Sequence, residues 1–247
     1  MSEATFRIWR TQPGGGGAFQ DYRTEVSEGM VVLDAVHRVQ AEQAPDLAVR
    51  WNCKAGKCGS CSAEINGRPR LMCMTRLNSI NLNEPVTVEP MRTFPPVKDL
   101  VTDVSWNFKV KKGIRKITPR KPDAPDGTYR FMQRDADRVQ EFRKCIECFL
   151  CQDVCHVLRD HAKHEEFIGP RYFVHVASLE MHPLDVEDRL DELRKTQGIG
   201  YCNITKCCTK VCPEHIHITD NAIIPLKERV VDQAFDPLTK LVQLFRK

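Results

Sequence analysis

The sequence contains no long hydrophobic run and no strong excess of charge of either sign. None of its apolar stretches approaches the roughly 18 residues that a membrane-spanning helix requires. An arginine interrupts the first ten residues, where a secretory signal needs an unbroken apolar core, so export is not expected. The 37 basic and 33 acidic side chains leave a net charge of only +4, too weak to indicate a nucleic-acid partner. We therefore expect a protein of the reducing cytosol.

The sequence also lacks the glycine-rich motifs that bind nucleotide cofactors. Neither G-x-G-x-x-G nor G-x-x-x-x-G-K-[ST] occurs in it. The sequence therefore gives no sign of its own flavin, nicotinamide or nucleotide site. If the protein carries out redox chemistry, its electrons must enter from another protein.

Cysteine, by contrast, is abundant, with 12 residues. In a reducing compartment thiols stay unpaired, so this number indicates metal binding, catalysis or redox sensing rather than a disulfide framework. Four cysteines lie within residues 53–73, none within the next 71 residues, and eight within residues 145–212. This distribution predicts two metal-bearing segments joined by a cysteine-free connector.

The first segment has the pattern of a small mixed sheet with one packed helix. Phe6 and Ile8 alternate with polar residues, as in a half-buried strand, and a turn is predicted over residues 13–17. Strands are predicted over residues 5–10, 22–26, 62–65 and 86–89. A helix is predicted from apolar residues at i, i+3, i+4 and i+7, namely Val32, Ala35, Val36 and Val39.

The connector is basic and irregular in pattern. We predict a first domain over residues 1–105, a basic connector over residues 106–128 and a second domain over residues 129–247. The connector's basic residues are Lys109, Lys111, Lys112, Arg115, Lys116, Arg120 and Lys121. They indicate either a solvated linker or a docking surface for an acidic partner or anionic lipid. Three prolines, Pro119, Pro122 and Pro125, favour a segment without regular structure.

The second domain is helical in pattern. One apolar face is predicted to run into the next cysteines through Val139, Phe142, Ile146 and Phe149, and another helix is predicted around Leu190 and Leu193. A last helix is predicted with Asp236 as N-cap and Pro237 as its first residue. Its apolar stripe consists of Leu238, Leu241, Val242 and Phe245. We expect core or subunit interface there, or insertion beside lipid headgroups helped by Lys240, Arg246 and Lys247.

The first cysteine run has the spacing of a plant-type 2Fe-2S ferredoxin. Cys53, Cys58 and Cys61 form C-x4-C-x2-C, and Cys73 follows as a distant fourth ligand. Three thiolates on one loop can surround two irons only if backbone amides also point inward, and Gly56 and Gly59 allow that close approach. Zinc and a disulfide pair are the alternatives, but zinc sites favour paired C-x2-C units rather than an x4 gap.

A second run has the spacing C-x2-C-x2-C-x3-C, and an incomplete copy follows it. The first copy consists of Cys145, Cys148, Cys151 and Cys155. The second copy has Cys202, Cys208 and Cys212 but carries Thr205 where its second cysteine would stand. In two-cluster bacterial ferredoxins such a run gives three thiolates to one 4Fe-4S cluster and its fourth thiolate to another cluster.

Pairing the two runs reciprocally predicts two sites. The 4Fe-4S site consists of Cys145, Cys148, Cys151 and Cys212. The other site consists of Cys155, Cys202 and Cys208. Three thiolates with Thr205 at the open corner suit a 3Fe-4S cluster, which lacks the iron that would need a fourth ligand. Cys207 is left over, either as an inert buried thiol or as a substitute ligand that would restore a 4Fe-4S cluster.

This order of cysteine runs resembles the iron-sulfur subunit of succinate dehydrogenases and fumarate reductases, the complex II family. The likeness includes the connector length, the Cys212-Pro213 ending and the run from Phe167 to Pro170. It implies an α+β protein with an N-terminal beta-grasp, ferredoxin-like domain and a C-terminal all-helical ferredoxin domain.

The resemblance also implies a function and partners. The chain would relay single electrons from the FAD of a flavoprotein subunit through 2Fe-2S, 4Fe-4S and 3Fe-4S clusters to quinone, with succinate oxidised to fumarate or the reverse. A membrane anchor subunit, with or without haem, would help bind the quinone, and the chain would lie on the cytoplasmic face of the inner membrane. The catalytic residues for succinate would then lie outside this chain.

The residues nearest the quinone depart from the family pattern. Relatives commonly carry proline, tryptophan and histidine at the positions of His156, Asp160 and Asn203. The departure leaves open a menaquinone-type site or quinone reduction within the membrane subunit. His156, His161 and His164 are either solvated helix histidines or part of a proton path to quinone.

Two other functions remain open at this stage. One is a ferredoxin-type carrier subunit of another flavin-dependent oxidoreductase. The other is a regulatory iron-sulfur sensor that carries no electron current.

Overall fold

The computed structural model describes residues 2–12, 14–235 and 237. Two compact units alternate along the chain. The first comprises the described residues up to 106 together with 146–154 and 211–213, and the second comprises 107–145, 155–210 and the described residues from 214 onward. The short segments that carry Cys148, Cys151 and Cys212 therefore belong to the first unit.

The first unit is built on a five-stranded mixed sheet. Its strands are β1 (Ser2–Thr11), β2 (Gly17–Val26), β3 (Ser62–Ile65), β4 (Arg68–Leu71) and β5 (Val86–Glu89), and its main helix is α1 (Val32–Glu42). The strand order is β2-β1-β5-β3-β4, with β1 parallel to β5 and the other neighbouring pairs antiparallel. A two-stranded ribbon, β6 (Pro96–Lys98) and β7 (Val101–Thr102), follows in the chain.

Apolar periodicity explains how this sheet and helix come together. Phe6 and Ile8 of β1 and Val88 of β5 are fully buried, as are all four residues of the predicted helical stripe. All of them belong to one hydrophobic cluster. Burying each large aliphatic or aromatic side chain contributes roughly 1.5–3 kcal/mol, so this stripe is sufficient to hold α1 on the sheet. The predicted helix and the strands at 62–65 and 86–89 are confirmed.

One strand of the sheet was not predicted. β4 has the sequence Arg-Pro-Arg-Leu, which shows no clear apolar alternation and contains Pro69. A proline cannot donate to a strand ladder and is tolerated only where no partner needs its amide. β4 meets this condition because it lies at the edge of the sheet and pairs with β3 alone.

Helices make up most of the second unit's regular structure. The remaining helices are α2 (Ser105–Gly113), α3 (Gln133–Gln140), α4 (Leu150–Asp153), α5 (His156–Arg159), α6 (Pro170–Glu180), α7 (Leu190–Lys195), α8 (Cys207–Val211) and α9 (Ile224–Phe235). Of these, α4 lies in the first unit, and α2 and α8 each continue from one unit into the other. Tyr172, Phe173 and Val176 of α6 are fully buried and form part of the second unit's core. The predicted helix around Leu190 and Leu193 is confirmed as α7.

Two local predictions were wrong. The connector is not without regular structure, because α2 occupies its first part. The four apolar residues from Val139 to Phe149 do not share one helical face, because α3 ends at Gln140 and a 3₁₀ turn follows. The backbone then becomes left-handed at Glu147 and Phe149, with φ of 54° and 62°, which no α-helix can accommodate.

The predicted last helix lies outside the described residues, apart from Pro237. This applies to its N-cap Asp236 and to its apolar and basic residues. These are Leu238, Lys240, Leu241, Val242, Phe245, Arg246 and Lys247.

A buried arginine holds part of the connector against the helices of the second unit. Arg189 is fully buried and lies 3.2 Å from Glu180 Oε1 and 2.9 Å from Asp185 Oδ2. Its guanidinium also donates to the backbone carbonyls of Arg115 and Lys116, at 2.9 and 2.6 Å. Burial raises the pKa of Glu180 even though Arg189 hydrogen-bonds to its carboxylate. The Glu180 carboxylate therefore depends on Arg189 for its charge.

We expect Arg189→Met to destabilise the second unit by about 3–5 kcal/mol, because it leaves buried carboxylates without their cation. Urea-induced unfolding of the cluster-loaded chain measures this change. Arg194→Met is the matched control, since Arg194 makes a half-exposed pair with Asp191 at 3.7 Å and its loss costs less than about 1 kcal/mol. Equal unfolding midpoints for the two variants would contradict this account.

Candidate metal centres

Strand pairing brings the first cysteine group together, namely Cys53, Cys58, Cys61 and Cys73. Cys61 directly precedes β3, and Cys73 lies in a 3₁₀ turn directly after β4. The antiparallel pairing of β3 with β4 places Ser62 opposite Leu71, and the Met72 amide donates to the Cys61 carbonyl at 3.0 Å. The pairing of β3 with β4 therefore places Cys73 beside the loop that contains the other three cysteines.

Backbone amides point at the sulfurs of this group. Cys53 Sγ accepts hydrogen bonds from the amides of Ala55 and Lys57 at 3.4 and 3.3 Å. The Cys53 amide lies 3.5 Å from Cys58 Sγ, and the Cys73 amide lies 3.4 Å from Cys61 Sγ. Such amides stabilise negative charge on sulfur, so the loop fits a thiolate-bound cluster.

Burial and these hydrogen bonds act in opposite directions on the thiols. Burial raises the pKa of Cys61 to about 12. Burial also opposes ionisation of Cys58, but hydrogen bonds from Ser60 and Cys53 lower its pKa to about 6. A bound cation is therefore needed to keep Cys61 ionised at neutral pH, which is the condition a metal ligand meets.

A glycine allows the second cysteine run to contact this loop. Gly59 has φ of 69°, and a Cβ at this position would lie 2.6 Å from Cys148 Cα and 3.0 Å from its amide nitrogen. Ser62 Oγ donates to the carbonyls of both Gly59 and Cys148, at 2.9 and 2.8 Å. The backbone of one predicted cluster ligand therefore touches the loop that holds the first group.

The second predicted cysteine group consists of Cys145, Cys148, Cys151 and Cys212. Cys148 and Cys151 are buried and Cys212 is half-buried, all within the first unit, whereas Cys145 ends a segment of the second unit. Their segment is held by Thr93, whose amide and hydroxyl donate to the side chain and backbone carbonyl of Asp153, both at 3.1 Å.

The third cysteine group consists of Cys155, Cys202 and Cys208, all within the second unit. Cys155 and Cys208 are buried and Cys202 is half-buried. Burial raises the pKa of Cys155 to about 11, against hydrogen bonds from the amides of Leu158 and Val157. This sulfur therefore shares with Cys61 the combination of burial and amide donors that suits a cluster ligand.

The same three cysteine loops contain most of the unusual backbone conformations of the protein. Nine non-glycine residues of the described part have positive φ, and five of them lie within the cysteine runs. These five are Lys54, Glu147, Phe149, Ile204 and Lys206. Left-handed conformations cost roughly 1–2 kcal/mol for residues with a side chain, so another interaction must hold these loops in shape.

Cys207 lies beside the third group. The Thr205 hydroxyl donates to Cys207 Sγ at 3.3 Å. Its hydrogen bond with the Cys208 side chain, helped by those with Thr205 and His156, lowers the pKa of Cys207 to about 5 against the effect of burial. The structure therefore places this thiol, half-buried, at the residue that stands in the open corner of the cysteine pattern.

The three residues predicted near the quinone are placed differently. His156 begins α5 and hydrogen-bonds to Cys207, so it lies at the third group. Asp160 and Asn203 are exposed. The sequence also singled out His161 and His164 as candidates for a proton path. The ring of His161 lies edge-on to that of His156, with 6.3 Å between the ring centroids, and His164 is half-buried.

Sequence reasoning missed one basic residue at the third group. Lys227 of α9 donates from Nζ to the backbone carbonyl of Cys202 at 2.6 Å. No motif marks this lysine, because it lies 25 residues along the chain from Cys202 and only the fold brings the two together.

Two features are absent from the described residues. No three histidine, cysteine, aspartate or glutamate side chains converge on a position for a single metal ion. No helix combines the length and the apolar character needed to cross a membrane. All 12 cysteines are described, and none forms a disulfide.

Known proteins match both halves of the chain. A family model described as a 2Fe-2S iron-sulfur cluster binding domain matches residues 5–109, and one described as a 4Fe-4S dicluster domain matches residues 141–216. The fumarate reductase iron-sulfur subunit of Mycobacterium tuberculosis is 33% identical over 84% of both chains. A mitochondrial succinate dehydrogenase iron-sulfur subunit of Oryza sativa is 29% identical over 86% of this chain and 77% of its own.

A solved structure agrees with these matches. A chain of the Mycobacterium smegmatis Sdh1 complex in the apo form superposes with a TM-score of 0.91 at 61% identity, covering 96% of this chain and 98% of the other. The fold and the cysteine loops thus define an iron-sulfur protein of the electron-transfer class, with a 2Fe-2S domain and a helical 4Fe-4S domain. The chain belongs to the family of iron-sulfur subunits of succinate dehydrogenases and fumarate reductases, which are oxidoreductase complexes. The predicted family and fold class are confirmed.

We expect Gly59→Ala to disrupt the contact between the first two cysteine runs. The new methyl group would lie 2.6 Å from backbone that cannot move cheaply. Electron paramagnetic resonance (EPR) of the reduced complex should show at least one of the 2Fe-2S and 4Fe-4S signals weakened, with a matching loss of iron. Gly67→Ala is the control, because Gly67 has φ of 68° but nothing within 4 Å of the added Cβ. Full signals and full iron in Gly59→Ala would refute the prediction.

Proposed function

We propose that this chain is the iron-sulfur subunit of a succinate:quinone oxidoreductase. It relays single electrons from the FAD of a partner flavoprotein to quinone, in either the succinate-oxidising or the fumarate-reducing direction. The observation that carries this proposal is the direct contact of the Gly59 loop with Cys148. An electron path through protein needs short steps, and this contact brings the first two cysteine groups next to each other.

Each cysteine group has its own proposed cofactor. The first group, Cys53, Cys58, Cys61 and Cys73, would hold the 2Fe-2S cluster. The second group, Cys145, Cys148, Cys151 and Cys212, would hold the 4Fe-4S cluster. The third group, Cys155, Cys202 and Cys208, would hold a 3Fe-4S cluster. Along the sequence, we assign the first to a domain of residues 1–105 and the other two to residues 129–247, joined by the connector 106–128, whereas the short segments of Cys148, Cys151 and Cys212 pack within the first compact unit.

The residues of the chain hold and tune these cofactors. When bound, the clusters supply one-electron steps between a two-electron flavin and quinone. The amides of Ala55 and Lys57 at Cys53 stabilise charge on its sulfur, and burial of Cys61 and Cys155 keeps water from theirs. Lys227 brings a positive charge next to Cys202, which favours an added electron at the third group.

The family supports the following proposal for partners and location. We propose a flavoprotein subunit with FAD on one side and a membrane anchor subunit, with or without haem, on the other. The proposed quinone-proximal residues are His156, Asp160 and Asn203, of which His156 lies at the third group. Menaquinone is one candidate for the quinone. The chain would be peripheral, on the cytoplasmic face of the inner membrane, held by these partners.

Analysis of the purified complex tests this function. We expect an FAD-containing flavoprotein and a hydrophobic helical subunit to co-purify with the chain. We also expect about nine iron atoms per chain and, in the oxidised complex, the EPR signal typical of a 3Fe-4S cluster. Succinate should reduce added quinone through this complex.

Other results would assign the chain elsewhere. A flavoprotein without succinate oxidation would indicate a carrier subunit of another oxidoreductase. Purification with DNA would indicate a regulatory sensor. Zinc in place of iron would overturn the proposal as a whole.

A further inference from the structure

One cysteine has no role in the proposed function. Cys207 is the first residue of α8 and directly precedes Cys208. Its thiol is half-buried and hydrogen-bonds to three side chains, those of Cys208, Thr205 and His156. The thiol is therefore part of the third cysteine group's surroundings and is not an isolated surface cysteine.

The ligands of the third group also lie close to this thiol. The sulfur of Cys155 is near enough to the thiols of Cys202 and Cys207 for direct electrostatic interaction with both. The thiols of Cys155, Cys202, Cys207 and Cys208 are thus linked by pairwise contacts within the second unit. A 3Fe-4S cluster needs only three of them.

The position of Cys207 relative to Thr205 shows where the fourth thiol lies. Thr205 stands where the complete cysteine pattern would have its second cysteine, and its hydroxyl is 3.3 Å from Cys207 Sγ. A neutral hydroxyl is a poor ligand for iron in a cluster, whereas a thiolate is the usual one. The sulfur of Cys207 therefore lies beside the corner that lacks a cysteine.

We infer that Cys207 is a facultative ligand that captures a fourth iron at the third group. The group would then hold a 3Fe-4S cluster when ferrous iron is scarce and a 4Fe-4S cluster when it is abundant. This inference rests on the proposed function, because it takes the 3Fe-4S assignment as its starting point.

The capture step balances in charge and atoms. A 3Fe-4S core that has accepted one electron from the succinate side carries zero net charge. Adding one Fe²⁺ gives a 4Fe-4S core of charge +2, with no further oxidant or reductant. Cys207 binds the added iron as a thiolate and forms one new sulfur-iron bond, and no bond between the core and Cys155, Cys202 or Cys208 breaks.

Capture of a fourth iron would change the reduction potential of the cluster at the third cysteine group. Cluster type and net charge are two of the factors that set the reduction potential of an iron-sulfur centre. Iron loading at Cys207 therefore changes the potential of the centre closest to the proposed quinone site. Electron delivery to quinone would then respond to the supply of ferrous iron.

Iron uptake by the whole complex tests the inference. The succinate-reduced complex is incubated anaerobically with Fe²⁺, desalted, reoxidised mildly and examined by EPR and iron analysis. The wild type should gain about one iron atom per chain and lose most of its oxidised 3Fe-4S signal, because an oxidised 4Fe-4S cluster of charge +2 gives no such signal. Cys207→Ala and Cys207→Ser should gain no iron and keep the signal.

Thr205→Val provides the matched control, since it removes the neighbouring hydroxyl and keeps the thiol. It should take up iron as the wild type does. Iron uptake lost in Thr205→Val but kept in Cys207→Ala would overturn the inference, because the hydroxyl would then be the ligand. Unchanged 2Fe-2S and 4Fe-4S signals in every variant, together with an unchanged urea-unfolding midpoint of the chain, verify that both units have folded.

Two failures can be told apart. A 3Fe-4S signal that persists in the wild type after iron addition contradicts the role of Cys207 and leaves the proposed function intact. Absence of a 3Fe-4S signal from both the wild type and Cys207→Ala contradicts the 3Fe-4S assignment itself, and with it the inference. A wild type that is isolated with about ten irons and no signal, beside a Cys207→Ala complex with nine and a signal, supports the inference in its iron-loaded form.

Discussion

The structure depends on holding sulfur that is both buried and negatively charged. Burial alone works against ionisation, as the raised pKa of Cys61 and of Cys155 shows. Each of these sulfurs accepts at least one backbone amide hydrogen bond, which favours the thiolate. Iron supplies the remaining positive charge when a cluster is bound. The cysteine loops are shaped to meet this electrostatic requirement.

At Cys53 the donating amides lie in a loop outside helix and strand geometry, whereas at Cys155 they belong to the first turn of α5. The positive φ of Lys54, which lies between Cys53 and the two amides that donate to its sulfur, is a local cost of that loop geometry. The surrounding fold offsets it: β3 and β4 fix Cys61 and Cys73, and Asp153 fixes the segment of Cys148 through Thr93. Gly59 has a different role, because it removes a side chain where two such loops meet.

Much of the fold and of the cysteine sites could be predicted from residue patterns in the sequence. The stripe at Val32 to Val39 predicted α1 because helical periodicity reports burial directly, and cysteine spacing predicted the family because cluster geometry restricts it. The edge strand β4 was missed, since its pairing partner rather than its own sequence makes it a strand. Lys227 could not be found from sequence, because its contact with Cys202 arises only after α9 packs in the second unit. The stripe from Val139 to Phe149 misled because the apolar spacing continues after α3 ends at Gln140, across a backbone that is left-handed at Glu147 and Phe149.

We propose that this chain conducts electrons one at a time from a flavoprotein to quinone. Rapid-freeze EPR after mixing the complex with succinate tests it most directly. The account predicts that the reduced 2Fe-2S signal appears, and the oxidised 3Fe-4S signal disappears, at least as fast as the complex turns over. Fumarate formation and quinone reduction at full rate while both signals stay unchanged would contradict it, because the electrons would then bypass this chain.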